Sequence, residues 1–118
     1  MHMDKYKGSI PQGNIDKIDE LIKDSIFKVL SEPVRLNIIK FLVVNGESDI
    51  STIAKSFTQD RSVISRHLMV MEQAGILEKS KESRYVVYSF NGREFLNKLE
   101  SVVDIIRVLV NSCDDCEN

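Results

Sequence analysis

The segment that begins at Asp60 is predicted to be a helix that leads directly into a strand. Its apolar residues Ile64, Leu68 and Met71 recur at helical spacing, so they form one inward-facing stripe. We expect Asp60 to be the N-cap, because its carboxylate can accept the free amide protons of the first turn. Gly75 follows the last apolar residue and suits the left-handed backbone that ends many helices.

The opposite stripe of this helix is short, hydroxylated and cationic toward its N-terminal end. Its members are Arg61, Ser62, Ser65, Arg66 and Met69. A small polar and basic helix face can enter a DNA major groove and reach base edges and phosphates. The alternative is an ordinary amphipathic helix whose polar face is solvated.

The segment before this helix favours the DNA-binding interpretation. A short helical pattern runs from Asp49 to Phe57, and its apolar residues on one side are Ile50, Ile53, Ala54 and Phe57. Thr58 and Gln59 then make a tight connection to the next helix. Two helices joined by a turn of this length form a helix-turn-helix unit.

Two strands separated by a polar turn are predicted after the second helix. Ile76–Lys79 is the first strand, Ser80–Ser83 is the turn, and Tyr85–Phe90 is β-branched and aromatic as a strand should be. A hairpin at this place is the wing of a winged helix. Its edge and tip carry Lys79, Lys81 and Arg84. An arginine at the tip can enter a narrow minor groove, where the potential is most negative.

These segments together resemble the ArsR/SmtB family of small winged-helix repressors. The resemblance rests on SEPVRLNIIKFL from Ser31, on SVISRHLMVMEQAGIL and on ESRYVVYSF. The ordered set S-x-P-x-R-L, S-x-H-L, A-G-[IL] and R-x-x-x-Y is specific, and it covers roughly Phe27 to Phe90. It implies a homodimeric transcriptional repressor that leaves its operator when a signal binds. It also implies that Ser62, Ser65 and Arg66 face DNA, with His67 at the boundary between helix and core.

The expected partner is double-stranded DNA that carries an imperfect inverted repeat. Phosphate contacts are expected from Lys79, Lys81, Ser62 and Arg66, which would supply most of the affinity. The helix would read bases, and Val63 could touch a thymine methyl. The complete candidate set is Arg61, Ser62, Val63, Ser65, Arg66, His67, Lys79, Lys81 and Arg84.

A separate helical pattern, Val34–Val44, is apolar almost throughout and is expected to be mostly buried. Ser31 is the predicted N-cap, and Pro33 can sit in the first turn, where its missing N–H costs little. Asn45 and Gly46 end the pattern.

The first and last helices are expected to form a dimer interface. Asn14–Leu30 has an apolar stripe, and Asn91 is predicted to cap the last helix with Glu94 at the reciprocal capping-box position. The last helix has a wide apolar face of Phe95, Leu96, Leu99, Val102, Val103, Ile106, Leu109 and Val110. A single small domain cannot readily cover two such stripes. We therefore expect a mainly α fold with a small β-hairpin, a winged helix-turn-helix that dimerises through these helices.

Length and charge support one DNA-binding domain. The chain has 118 residues and a net charge of −2. The range Arg61 to Arg93 nevertheless carries six basic and three acidic side chains. Positive charge is therefore concentrated in the segment proposed to contact DNA. Residues 1–13 are expected to be flexible, with residues 1–2 compatible with a cloning remnant. The DNA-binding and dimerisation domain is expected over residues 14–110, and residues 111–118 form a tail.

The sensed signal is not fixed by the sequence. Some metal sensors of the resembled family carry Cys-x-Cys at the start of the helix before the recognition helix, but this chain has Glu47–Ile50 there. Others bind the metal through Asp and His ligands in the last helix. That helix of this chain offers Asp104 but no His. Cys113 and Cys116 remain, and a Cys-x-x-Cys pair can bind a thiophilic metal or metalloid ion or form a disulfide. Neighbouring carboxylates would raise the pKa of both thiols. Metal or metalloid sensing, a redox switch and a non-functional tail all stay open.

Other function classes are disfavoured. The chain has no Gly-rich phosphate loop, no H-E-x-x-H and no nucleophile elbow, so it is not expected to be an enzyme. No apolar run approaches the ~20 residues of a membrane span, and no signal peptide is visible, so a cytoplasmic protein with no membrane partner is expected. A winged-helix module that binds only proteins is the alternative function, although such a module would not need a basic wing.

Overall fold

The computed structural model describes residues 11–23 and 26–111, which form six helices and a small antiparallel sheet. The helices are α1 (Gln12–Lys23), α2 (Ile26–Leu30), α3 (Pro33–Asn45), α4 (Ile50–Ala54), α5 (Arg61–Gln73) and α6 (Gly92–Asn111). The strands are β1 (Ser48–Asp49), β2 (Leu77–Glu82) and β3 (Tyr85–Phe90). Their order in the sheet is β1-β3-β2, so the predicted hairpin gains a third short strand. The predicted mainly α fold with a helix-turn-helix followed by a wing is confirmed.

The core lies where α3, α4, α5 and the start of β2 meet. Its fully buried side chains are Ile38, Ile53, Ile64, Leu68, Met71, Ile76 and Leu77. The predicted inward stripe of α5 is therefore confirmed. Replacing one of these large side chains by alanine would cost about 2–5 kcal/mol, since it removes buried apolar surface and leaves a cavity.

The two ends of α5 are held by different groups. Gly75 has φ +83°, its amide donates to the Glu72 carbonyl, and the Ile76 amide donates to the Met71 carbonyl. This is a Schellman ending, as the glycine predicted. Asp60 is the N-cap as predicted, but among the described residues its carboxylate makes no capping hydrogen bond. Its carbonyl, which accepts from the amides of Val63 and Ile64, fixes the start of the helix instead.

The predicted helix Asn14–Leu30 is described as α1 and α2, with residues 24–25 outside the described ranges. The predicted capping role of Ser31 was wrong, because Pro33 takes the first helical position and places the N-cap at Glu32. The Ser31 hydroxyl donates instead to the Lys28 carbonyl at 2.7 Å, so it satisfies the end of α2. The Pro33 position itself is confirmed.

The prediction that the third helix is mostly buried was wrong. In α3 only Ile38 and Leu42 are buried, whereas Val43 and Val44 are 61% and 71% exposed. A helix that is apolar on all sides offers no periodic signal for the side that faces the core. The end at Asn45 and Gly46 is confirmed, and Gly46 has φ +80°.

The helix predicted over Asp49–Phe57 is shorter and begins with a strand. Ser48 and Asp49 pair with Tyr88 and Val87 of β3, and Asp49 then caps α4 by accepting from the Thr52 amide at 2.9 Å. Both roles are compatible because an N-cap residue has an extended backbone. A two-residue polar strand has too few positions to show strand periodicity, so the sequence did not reveal it.

The wing is longer than predicted. The turn consists of Ser83 and Arg84, with Ser83 at φ +60°, so the predicted turn Ser80–Ser83 was placed too early. The residues from Ser80 to Glu82 belong to β2, which is exposed beyond Leu77. A strand that is polar on both faces resembles a loop in composition, and its pairing with β3 reveals its true length.

The capping prediction for the last helix is half right. Asn91 Oδ1 accepts from the Glu94 amide at 3.1 Å, which confirms the N-cap. The prediction that the Glu94 carboxylate accepts from the Asn91 amide was wrong, because this amide donates to the Ile76 carbonyl at 2.8 Å. The Glu94 carboxylate lies 3.6 Å from the Lys98 ammonium.

Among the described residues no helix is long and apolar enough to cross a membrane.

Candidate nucleic-acid interface

The polar face of α5 is open to solvent. Arg61, Ser62, Ser65 and Arg66 are exposed, and the side chain of Met69 is 51% exposed. Two further candidates on this helix, Val63 and His67, are half-buried at the edge of the face. The N-terminal half of α5 therefore offers hydroxyl and guanidinium groups from its most accessible side.

A shallow groove joins this helix face to the wing. Ser62 and Ser65 line it from α5, and Val86 and Tyr88 line it from β3; Ile50 and Arg61 complete it. The groove brings three candidates of α5 next to two residues of β3 that lie more than twenty positions further along the sequence. The helix and the wing thus form one continuous surface.

Charge on the wing is sorted by the alternation of side chains along β2. Lys79 pairs with Tyr88 and Lys81 pairs with Val86. Directly paired residues of an antiparallel ladder project from the same sheet face. Both lysines therefore project from the face that lines the groove.

The acidic residues of β2 project from the opposite face. Glu78 pairs with Ser89 and Glu82 pairs with Tyr85, one position out of step with the lysines. Near Glu82, the exposed carboxyl of Glu47 has a raised pKa, because it shares a hydrogen bond with Glu82 and is repelled by its charge. The wing therefore has a cationic face toward α5 and an anionic face away from it.

Two of the predicted arginines occupy distinct places. The Arg61 guanidinium donates to the Ser51 hydroxyl at 2.8 Å, so it also links α5 to α4. Arg84 is exposed in the turn at the tip of the wing. The first lies at the mouth of the groove, and the second lies at the far end of the same surface.

His67 is held by a residue that the sequence reasoning did not select. The Arg35 Nε group donates to His67 Nδ1 at 3.2 Å. The pKa of His67 is lowered, first by burial and then by the charge of Arg35, with a smaller effect of Arg66; Glu32 opposes these effects. Arg35 is the arginine of the S-x-P-x-R-L motif, which was the available signal, but the motif did not indicate its partner.

The predicted metal ligands Cys113 and Cys116 lie outside the described residues, as does His2. In the part of the chain that the structure describes, no group of three or more His, Cys, Asp or Glu side chains could hold a metal ion. The metal prediction therefore rests on the sequence of the tail.

Comparisons with known proteins identify the family. The model of the bacterial regulatory protein, arsR family, matches residues 32–79, which span α3 to the first half of β2. An uncharacterised HTH-type transcriptional regulator of Methanocaldococcus jannaschii is 35% identical over 63 residues, which cover 53% of this chain and 71% of that protein. The arsenical resistance operon repressor of Escherichia coli K12 is 31% identical over 68 residues, 58% of each chain.

A solved structure shows the same fold. The ArsR-like transcriptional regulator from Rhodococcus sp. RHA1 superposes with a TM-score of 0.68 at 22% identity, over 78% of this chain and 86% of that one. The region matched by the family model contains the helix-turn-helix. The fold continues from there through the wing, whose basic face adjoins α5. The chain therefore belongs to the ArsR family of bacterial regulatory proteins and is a DNA-binding transcriptional regulator.

Proposed function

We propose that the chain is a homodimeric repressor that binds an imperfect inverted repeat and leaves it when a signal binds. The observation that carries this proposal is the groove between α5 and the wing. Ser62 and Ser65 line it from α5, and Lys79 and Lys81 project from the wing face whose Val86 and Tyr88 line its other side. Hydroxyl groups beside exposed cations suit phosphates and base edges. The name of the arsenical resistance operon repressor supports repression over activation.

Two kinds of contact are made in the proposed complex, and Ser62 and Arg66 take part in both. Lys79, Lys81, Ser62 and Arg66 contact phosphates and supply most of the affinity. Bases are read from α5 by Arg61, Ser62, Val63, Ser65 and Arg66. Arg84 enters the minor groove from the wing tip.

The proposed dimer forms through α1 and α6. Phe95, Val102 and Leu109 of α6 are buried or half-buried on the chain itself. The adjacent stripe remains exposed and consists of Leu96, Leu99, Val103, Ile106 and Val110. Pairing of these stripes about a two-fold axis would place the two copies of α5 in successive major grooves, about 34 Å apart. Residues 14–110 then act as one DNA-binding and dimerisation unit.

We also propose that Cys113 and Cys116 bind a thiophilic metal or metalloid ion that releases the DNA. The pair adjoins the end of α6, so an ion held there can alter the angle between subunits. Soft thiolate ligands favour such ions. A thiol redox switch at the same pair is the competing form of this signal.

The groove assignment is tested by fluorescence anisotropy on the duplex upstream of the chain's own gene. Arg66→Ala is expected to weaken binding by about 1–3 kcal/mol, because it removes contacts from the centre of the α5 face. Arg84→Ala should weaken binding through the wing. Lys40→Ala removes one positive charge from α3, where the side chain is exposed and has no proposed role, and should leave affinity nearly unchanged. Unchanged affinity in both Arg66→Ala and Arg84→Ala would contradict the assignment.

The signal is tested in the same assay with fully reduced protein and added arsenite or Cd²⁺. Loss of binding in the wild type, but not in a Cys113→Ser/Cys116→Ser variant, would support the metal-responsive tail. Binding that ignores both ions but is lost after oxidation would favour the redox form. An absence of specific binding under every condition would favour a protein-interaction module.

A further inference from the structure

One guanidinium connects α2 to α5. Arg35 Nη1 donates to the carbonyls of Lys28 and Val29, at 3.2 and 3.1 Å, and Nε donates to His67 Nδ1 at 3.2 Å. The two carbonyls belong to the last turn of α2, where backbone acceptors have no partner within the helix. A cation is also favoured at that end by the helix dipole.

The position of Arg35 in the fold makes this connection important. Arg35 lies in the first turn of α3. α2 packs against α3 and also against α1 and α6, which carry the proposed subunit contact. His67 follows Arg66, whose side chain is on the exposed face of α5. The bond between Arg35 and His67 therefore joins the outer helices to the helix that faces DNA.

We propose that Arg35 is a positioning residue for DNA binding, which fixes α5 by donating to the neutral imidazole of His67 while it is anchored on the carbonyls of α2. His67 was included among the candidate DNA contacts on sequence grounds. The structure turns its Nδ1 atom toward the protein and gives the residue a role in orienting its neighbours on α5. The proposal rests on the proposed placement of α5 in the major groove.

The chemistry of the bond restricts both partners. An arginine guanidinium stays protonated in proteins and can only donate, so His67 Nδ1 must carry a lone pair and the imidazole proton must lie on Nε2. A lysine could not replace Arg35 fully. Its single ammonium group lacks the planar set of N–H donors with which the guanidinium reaches α2 and His67 at the same time. The S-x-P-x-R-L and S-x-H-L motifs thus meet in one contact.

Protonation of His67 would break this contact. An imidazolium has no acceptor at Nδ1, and its charge would lie beside the guanidinium of Arg35. The charged groups that influence the ring are Arg35 and Glu32 at the start of α3 and Arg66 on α5 itself. Burial and the two arginines keep the pKa of His67 below its ordinary 6.5, so the bond is complete at neutral pH and is lost as the pH falls through this lowered pKa.

The decisive quantity is the ratio of affinity for the upstream duplex to affinity for a nonspecific duplex of equal length. This ratio cancels the general gain in phosphate attraction when a histidine becomes charged. Anisotropy at constant ionic strength should show the wild-type ratio falling by about fivefold as the pH is lowered from about 8 through the His67 pKa found by NMR titration, the size expected for loss of one coupling between contacting groups.

Matched variants separate positioning from simple loss of stability. His67→Asn can keep an acceptor close to the place of Nδ1 and does not titrate, so its ratio should stay high and independent of pH. His67→Leu removes the acceptor, and Arg35→Lys removes the planar set of donors, so both should have a low ratio at each pH. Equal ratios for His67→Asn and His67→Leu, or a wild-type ratio that ignores pH, would overturn the proposal.

A measurement without DNA keeps this test independent of the proposed function. Titration of the His67 imidazole by NMR in the wild type and in Arg35→Gln should give a higher His67 pKa in the variant, because a neighbouring cation and its hydrogen bond are removed. An unchanged pKa would show that Arg35 does not hold the ring and would refute the proposal. If the wild type binds no duplex specifically, the proposed function fails, and this titration still decides whether the contact exists.

Discussion

Single residues decide which face of the wing is basic. In β2 the order of Glu78, Lys79, Lys81 and Glu82 places both lysines on the α5 side and both glutamates on the other. Because side chains alternate along a strand, a shift of one residue in pairing would exchange the two faces. The register of the wing therefore decides which way its positive charge faces.

Gly75→Ala is expected to destabilise the fold by about 1–2 kcal/mol or more, because a left-handed residue with a Cβ is strained. A Cβ at residue 75 would also lie 3.3 Å from Glu94 Cγ. Urea unfolding would measure the loss. The matched control is Gly75→Ala in a Glu94→Ala protein, because the atoms that a Cβ at residue 75 would meet all belong to the Glu94 side chain beyond its own Cβ.

The comparison of these two variants isolates crowding from backbone strain. Gly75→Ala should cause a larger loss of stability in the wild type than in the Glu94→Ala protein, where only the backbone strain remains. Equal losses would mean that the Glu94 side chain moves away without cost.

At the scale of elements, α5 and α6 were predictable, because each has a clear helical period and a recognisable cap. β1 and the outer part of β2 were not, since short or two-sided polar strands lack an apolar period. The exposed side of α3 was missed for the opposite reason, because apolar residues on every side of the helix hide the direction of the core.

The candidate interface was predictable only in part. Ser62, Ser65 and Arg66 followed from the pattern of α5 alone. The contact between Arg35 and His67 spans 32 positions in the chain, and only the packing of α3 against α5 brings them together. Local periodicity carries no information about such a pair.

The start of α4 gives a prediction about pH. The Thr52 hydroxyl and then the Thr52 amide donate to the Asp49 carboxylate and hold its pKa below the ordinary 3.8. A lowered pKa in the folded state contributes stability above the unfolded value, and this stability is lost as the pH falls through the folded value. Urea unfolding between about pH 5 and about pH 3 should therefore show a larger loss for the wild type than for Asp49→Asn.

Asparagine is a suitable control because it can still cap a helix but does not titrate in this range. Equal losses in the two proteins would mean that the capping bond adds nothing to the acid sensitivity of the fold.

At the scale of the whole molecule, the exposed apolar stripe of α6 and the basic face lie on different elements. The exposed apolar stripe runs along α6, whereas the basic face is shared by α5 and the wing. A contiguous apolar stripe is unusual on a monomer and is typical of an association surface. This separation allows two copies to join without covering the side chains proposed to contact DNA.

Ile106→Glu is expected to convert the proposed dimer to monomer, because Ile106 is 50% exposed on the apolar stripe and a carboxylate would be desolvated in the interface. Sedimentation velocity would measure the mass, and affinity for the upstream duplex should fall with it. Ser101→Glu adds the same charge to another face of α6, where Ser101 is exposed, and should leave the dimer intact. A dimeric Ile106→Glu protein would place the subunit contact elsewhere.

The short strand β1 links the wing to the first helix of the helix-turn-helix. Its Asp49 pairs with Val87 at the root of the wing and also caps α4, the first helix of the helix-turn-helix. Any fluctuation that separates β1 from β3 also disturbs the first turn of α4. The wing and α4 therefore belong to one cooperative opening unit, so their backbone amides should exchange hydrogen for deuterium together.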